Sequence, residues 1–134
     1  MAAQIIDGKA VAERMIAEIS GDVAVLHHAT GIVPHLAAVL IGDDSASAVY
    51  VRNKQKACAK AGLKSTLYRL PSETNEIQLL QLVEQLNADT TVHGILVQMP
   101  VPKQINPQAV ILRISPEKDV DGFHPVNVGR VWIG

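Results

Sequence analysis

Aromatic side chains are scarce in this sequence, at 3% of 134 residues. Proteins that stack single-stranded nucleic acid on aromatic platforms need more of them. Nor is there a basic stripe, because the formal net charge is only -1, so the electrostatic footprint of a nucleic-acid protein is missing. A single cysteine, Cys58, excludes an internal disulfide framework and suits a reducing compartment. No apolar run approaches the roughly 20 residues of a membrane span. The opening MAAQIIDGKA has no charged start followed by a long apolar stretch, so no signal peptide is read there. The expectation is a soluble, cytoplasmic protein with neither a nucleic-acid nor a membrane partner.

Aliphatic residues are abundant. Hydrophobic residues make up 48% of the chain, nearly all of them Ala, Val, Ile and Leu. That is enough for one domain with a real core and too much for disorder. Branched residues suit buried strands, while Ala and Leu line helices, so the mixture points to α/β layers.

The pattern along the chain agrees. Asp7-Gly8-Lys9 opens a helix in which Val11, Met15 and Ile19 recur at helical spacing, fading near His27-His28. Residues 34–41 (PHLAAVLI) read as a buried strand stopped by Gly42. Asp43, Asp44 and Ser45 are N-cap types for a helix over residues 45–61 that ends at Gly62. Ala46, Ala57 and Ala61 would pack inward there, with Arg52, Lys56 and Lys60 solvated. Residues 63–70 form a second strand. After Pro71-Ser72, a helix begins near Glu73 and Glu76 and carries Leu79, Leu82, Val83 and Leu86. Residues 94–99 (GILVQM) form a third strand, stopped by Pro100-Val101-Pro102. Residues 106–114 form a short helix, and from Ser115 onward the Pro-, Gly- and Asp-rich sequence reads as loop. Alternating helices and strands predict a three-layer α/β fold, with a mostly parallel sheet flanked by helices on both faces. Ligands of such sheets bind at the carboxyl ends of the strands. Three places qualify: residues 42–47, residues 98–102 and the loop after Ser115.

Chemistry-bearing residues fall at those places. In YVRNK, residues 50–54, a phenol and an amine stand one helical turn apart on one face. By spacing alone they form either a half-buried tyrosine with a surface lysine or a catalytic pair. Short-chain dehydrogenases use a Tyr-x-x-x-Lys pair, but they need a glycine-rich dinucleotide turn upstream. Here no G-x-G-x-x-G occurs, and Gly8, Gly21, Gly31 and Gly42 are scattered. Gln98, near the end of an apolar strand, is an amide that must bond nearby backbone, a ligand or a lysine. Asp119 and Asp121 precede Gly122. Phe123, His124 and Pro125 then rule out a calcium loop of EF-hand type, leaving a turn organised by aspartates as the plainest account. No histidine has a Cys or Glu at zinc-binding spacing, and no metal site is expected.

Taken in order, GDDSAS before YVRNK, then GILVQMPVP and PEKDVDGFHPVNVGR, closely resemble the methylenetetrahydrofolate dehydrogenase/methenyltetrahydrofolate cyclohydrolase family. The opening IIDGKAVA is similar too, so the likeness covers essentially the whole chain. Ser45 stands where a proline is common, and Met99 and Val101 where leucines are common. Members of the family continue for about another domain, a Rossmann-like fold that binds NADP. Residues 1–134 are therefore expected to be the N-terminal folate-binding catalytic domain, with the cofactor domain and its phosphate motif outside the chain.

The resemblance implies one-carbon folate metabolism serving purine biosynthesis. The reactions are NADP-dependent oxidation of 5,10-methylenetetrahydrofolate and hydrolysis of the methenyl product to 10-formyltetrahydrofolate. It implies a catalytic set of Lys54, Tyr50, Gln98 and Asp121. Tyr50 would stack on the folate ring, Lys54 would serve the hydrolysis, Gln98 would bond Lys54, and Asp121 would anchor the pterin edge. Ser47, Val97, Met99 and Pro100 complete the expected substrate pocket. No cofactor-binding residue is expected in this chain, and full-length members are expected to be homodimers. Two alternatives stay open: a short-chain-dehydrogenase-like oxidoreductase and a folate-binding fragment without catalysis.

Overall fold

The computed structural model describes Ala3 and residues 5–134. The reading of MAAQIIDGKA, and the first residues of the expected 1–134 domain, fall partly on Met1, Ala2 and Gln4, which lie outside the described residues.

The elements run α1 (Gly8–Thr30), β1 (His35–Ile41), α2 (Ser45–Ala61), β2 (Lys64–Leu70), α3 (Glu76–Ala88), β3 (Gly94–Val97), α4 (Pro107–Arg113) and α5 (Pro125–Ile133). All strand pairs are parallel, and the order across the sheet is β2-β1-β3. Val39 lies opposite Tyr68 on one side and Val97 on the other. Central β1 is buried on both faces. Ala37, Val39 and Ile41 join Ile95 and Val97 against Leu79, Val83 and Leu86 of α3 and Val110 of α4. α2 packs on β1 and β2 and contributes buried Val51 and Ala61, while α1 lies against α2. The expected three-layer arrangement is present.

The chain passes from β1 through α2 to β2, then returns through α3 to β3 on the other side of β1. This reversal makes a switch point between the carboxyl ends of β1 and β3, where neighbouring loops part and leave a crevice.

Local chemistry sets the helix ends. Asp7 accepts from the N–H groups of Lys9 and Ala10 and starts α1. α1 runs past the histidines to Thr30, because the left-handed Gly31 (φ 72°) is what stops it, donating to His27 O. The expected apolar stripe of α1 is not covered: Val11, Met15 and Ile19 are 36%, 53% and 41% exposed. In α2, Ala46 is likewise exposed, whereas Ala61 is buried and Arg52, Lys56 and Lys60 are solvated. α3 begins at Glu76 behind an Asn75/Gln78 capping box. β3 ends at Val97 rather than Met99. Gln98 N–H still bonds Val39 O at 2.9 Å, but Pro100 and Pro102 have no N–H to extend the ladder.

The stretch after Ser115 corrects the loop reading. Residues 125–133 form helix α5, with Pro125 in its first turn, where the missing N–H costs nothing. The ring Nδ1 of His124 accepts from Val126 N–H at 3.2 Å and caps the helix.

Candidate active site

Two elements meet at the switch point. α2 is started by Asp44, whose carboxylate accepts from Ser47 N–H at 2.7 Å. That bond and the Ser47 side chain hold the Asp44 carboxyl below its ordinary range. The cap fixes the helix so that Tyr50 and Lys54 project along one face. Tyr50 is 60% exposed, a ring face open to a flat partner. Lys54 is half-buried, and its Nζ donates to Gln98 Oε1 at 3.2 Å.

Gln98 is oriented by its own neighbour. Its Nε2 donates to Met99 O at 2.9 Å. A carbonyl only accepts, so the amide nitrogen must face Met99 and the amide oxygen must face Lys54. The amide predicted from the sequence to seek a lysine or nearby backbone therefore bonds both.

Asp121 completes the group from the loop after α4. Among the described residues, no hydrogen bond engages its carboxylate. Asp121 is exposed, yet partial desolvation of its carboxyl raises its pKa above the ordinary value, the nearby Lys54 charge opposes this, and the Asp119 charge reinforces it. The carboxylate thus lies within the field of Lys54, with no hydrogen-bond donor on it among the described residues.

The remaining expected pocket residues divide into rim and floor. Met99 is half-buried against the core and Pro100 is exposed, with a cis bond between them. Ser47 and Val97 are each 3% exposed, so little of either is open to a ligand in the free protein. Met99, Pro100, Val101, Pro102, Ile105 and Phe123 line an adjoining apolar groove of about 480 Å³. Phe123 was noted in the sequence only as unfit for a calcium loop. An aromatic following Asp121 in an aromatic-poor chain was the signal for it.

The turn organised by aspartates that the sequence suggests is present, but only one of the pair, Asp119, organises it. Both its oxygens accept from N–H donors of the loop. Burial works to raise its pKa, but the bonds from Asn127, His124, Phe123 and Gly122 outweigh burial and hold it low. It is a turn-organising aspartate, whereas Asp121 is not. Among the described residues, no group of three His, Cys, Asp or Glu gathers to hold a metal ion. His35 is buried, with Nδ1 on Thr91 O and Nε2 on Thr66 Oγ1, and pins β1 to its neighbours.

A dinucleotide does not fit these residues. The turn after β1 carries Asp43 and Asp44 at the start of α2, where a phosphate would meet carboxylates. The turns after β2 and β3 carry Pro71 and the Pro100/Pro102 pair, which present no proline N–H to an anion.

Residues 6–121 match the family model described as tetrahydrofolate dehydrogenase/cyclohydrolase, catalytic domain. The bifunctional protein FolD of Geotalea daltonii is 58% identical over 132 residues, covering 98% of this chain and 47% of that protein. The crystal structure of the bifunctional methylenetetrahydrofolate dehydrogenase/cyclohydrolase from Campylobacter jejuni superposes with a TM-score of 0.95 at 42% identity, covering 98% of this chain and 46% of that one. The Trypanosoma brucei dehydrogenase-cyclohydrolase, solved with NADP cofactor and an inhibitor, gives 0.93 at 38% identity, covering 99% and 46%. The chain spans about half the length of the relatives it matches.

Proposed function

The chain belongs to the tetrahydrofolate dehydrogenase/cyclohydrolase catalytic-domain family, and on that premise we propose that it forms the folate-binding side of a bifunctional enzyme. That enzyme oxidises 5,10-methylenetetrahydrofolate with NADP and hydrolyses 5,10-methenyltetrahydrofolate to 10-formyltetrahydrofolate. Residues 1–134 form its folate-binding catalytic domain, and NADP is assigned to the portion of the relatives that this chain does not span.

The observation that carries this reading is the Lys54–Gln98 bond beside the open Asp121 carboxylate. A pterin presents a donor-rich amino-pyrimidine edge, which a free carboxylate accepts with charge-assisted bonds. The exposed face of Tyr50 suits the flat ring. Hydrolysis requires water to add to the cationic bridging carbon and lose a proton. It also requires a proton for the ring nitrogen as its bond to that carbon breaks. A half-buried amine held by an amide oxygen is placed to carry the proton. Met99 and Pro100 form the rim, Ser47 and Val97 support them from below, and the groove beside Phe123 extends the apolar surface.

The family resemblance supports one-carbon metabolism feeding purine synthesis and a homodimeric full-length enzyme. A single cysteine accords with a cytoplasmic setting. Among the described residues, no helix is long and apolar enough to cross a membrane.

The test is loss of methenyltetrahydrofolate absorbance with residues 1–134, run beside Lys54→Ala and a buffer blank. Enzyme-dependent loss that disappears in Lys54→Ala supports the reading. Folate binding without any turnover favours the non-catalytic alternative, and dinucleotide binding without folate binding favours the short-chain-dehydrogenase alternative.

A further inference from the structure

The loop that carries Asp121 is tied down on both sides of it. Upstream, Lys118 Nζ donates to the carbonyls of Leu86, Asn87 and Asp89 at 3.0, 2.8 and 2.8 Å, gathering the end of α3. Lys118 O accepts from Ile95 N–H at 2.7 Å. Asp119 then makes a parallel bridge to Ile95. Val120 sits over Gly94, where an added Cβ would come within 2.6 Å of Val120 Cγ1.

Downstream, the ties converge on one side chain. Asp119 Oδ1 accepts from Gly122 N–H at 3.1 Å, and Oδ2 accepts from His124 N–H at 2.9 Å and Asn127 Nδ2 at 3.0 Å. Asn127 Nδ2 also donates to Pro116 O at 2.8 Å. One carboxylate therefore draws together the residue after Asp121, the cap of α5 and the first turn of α5.

We propose that Asp119 is a positioning residue. Its carboxylate folds residues 119–127 so that Asp121 is held on the Lys54 side of the site with both oxygens free for a donor-bearing ring edge. Asp119 itself does not meet the substrate, because its oxygens are already occupied. The inference rests on the folate reading for the identity of that ring edge, but the geometry of Asp121 can be read without any ligand.

Two variants separate positioning from simple support of the fold. In Asp119→Asn an amide N–H₂ must face at least one loop N–H. Asn127→Ala keeps both carboxylates and removes two ties, those to Asp119 Oδ2 and Pro116 O. The first readout is the carboxyl ¹³C titration of Asp121 in the ligand-free protein. In both variants the Asp121 pKa should fall toward the ordinary value as its surroundings open, more in Asp119→Asn, which also loses a neighbouring negative charge. A fall in Asn127→Ala reads displacement alone. The second readout is the dissociation constant for 5-formyltetrahydrofolate, which should rise about tenfold in Asp119→Asn.

An unchanged Asp121 titration in the folded variants overturns the proposal. So does unchanged affinity in Asp119→Asn when the wild type binds. If Asp119→Asn fails to fold, Asn127→Ala carries both readouts. If the wild type does not bind 5-formyltetrahydrofolate while the titration shifts as expected, the folate reading fails and the positioning role stands.

Discussion

Replacing Gln98 with Glu probes the link between Lys54 and hydrolysis most directly. The change exchanges a neutral acceptor for a carboxylate at nearly constant volume. The Lys54 Nζ lies 3.2 Å from the amide oxygen. A unit charge there would interact with the ammonium by about 5 kcal/mol at an effective dielectric of about 20, and by about 1 kcal/mol in bulk water. Both side chains are half-buried, so a value of about 1–3 kcal/mol is appropriate, equivalent to about one to two pH units. The carboxylate favours the ammonium form, so the free amine needed to take a proton appears only at higher pH. The assay is methenyltetrahydrofolate hydrolysis as a function of pH. The half-maximal point should move up by about one unit or more, and the rate near neutrality should fall about tenfold. Glu also lacks the donor that bonds Met99 O, which leaves two acceptors facing each other and lowers stability by about 1–3 kcal/mol. Gln98→Met removes both bonds without adding charge and should not move the profile upward. A Gln98→Glu profile that overlays the wild type would refute the assignment of proton transfer to Lys54.

Two further outcomes follow from the site. Purified residues 1–134, given 5,10-methylenetetrahydrofolate and NADP, should form no NADPH above background, because the described turns offer carboxylates and prolines where phosphates would bind; clear formation would sink that reasoning. Asp121→Asn should lose folate affinity about tenfold or more without lowering the unfolding midpoint at pH 7. The folded pKa of Asp121 is raised, so the folded state binds this proton more tightly than the unfolded one. The wild type therefore loses stability as pH rises from the ordinary carboxylate range, about 3.9, toward the raised value. Thermal melts across pH 3 to 7 should show the Asn variant gaining on the wild type as pH increases, and a variant that falls behind would contradict the shift.

How far the sequence could be read depended on where the information sits. Caps and strand ends are local, and Asp44, Gly62 and the proline pair marked α2 and β3 to within two residues. α5 was hidden because Pro125 and Gly129 look like breakers, although proline is acceptable in a first helical turn. The stripe of α1 was visible in the sequence but its exposure was not, since periodicity identifies a face and not what covers it. At the site, Gln98 was legible because a half-buried amide must find partners. Asp119 was legible only as one of two turn-forming aspartates, because its partners Gly122, His124 and Asn127, which set it apart from Asp121, are brought together by an irregular loop that follows no sequence period.

The tied and untied groups of the site follow a division of labour. Gln98 is bonded at both ends of its amide, Asp119 at both oxygens and Asp44 at its helix, so each has its geometry set before any ligand arrives. Tyr50 and Phe123 remain more than half exposed, and the Asp121 carboxylate takes no partner among the described residues. An arrangement of this kind spends its ordering in folding rather than in binding, because the supports are already immobilised when the substrate meets the exposed groups. Its cost is local: ring faces stand in water and the partly desolvated Asp121 carboxylate has no donor from the protein among the described residues. A bound pterin would relieve both, covering the rings and supplying the donors the carboxylate lacks. The features least favourable in the free protein are therefore the ones a flat, donor-edged ligand would complete.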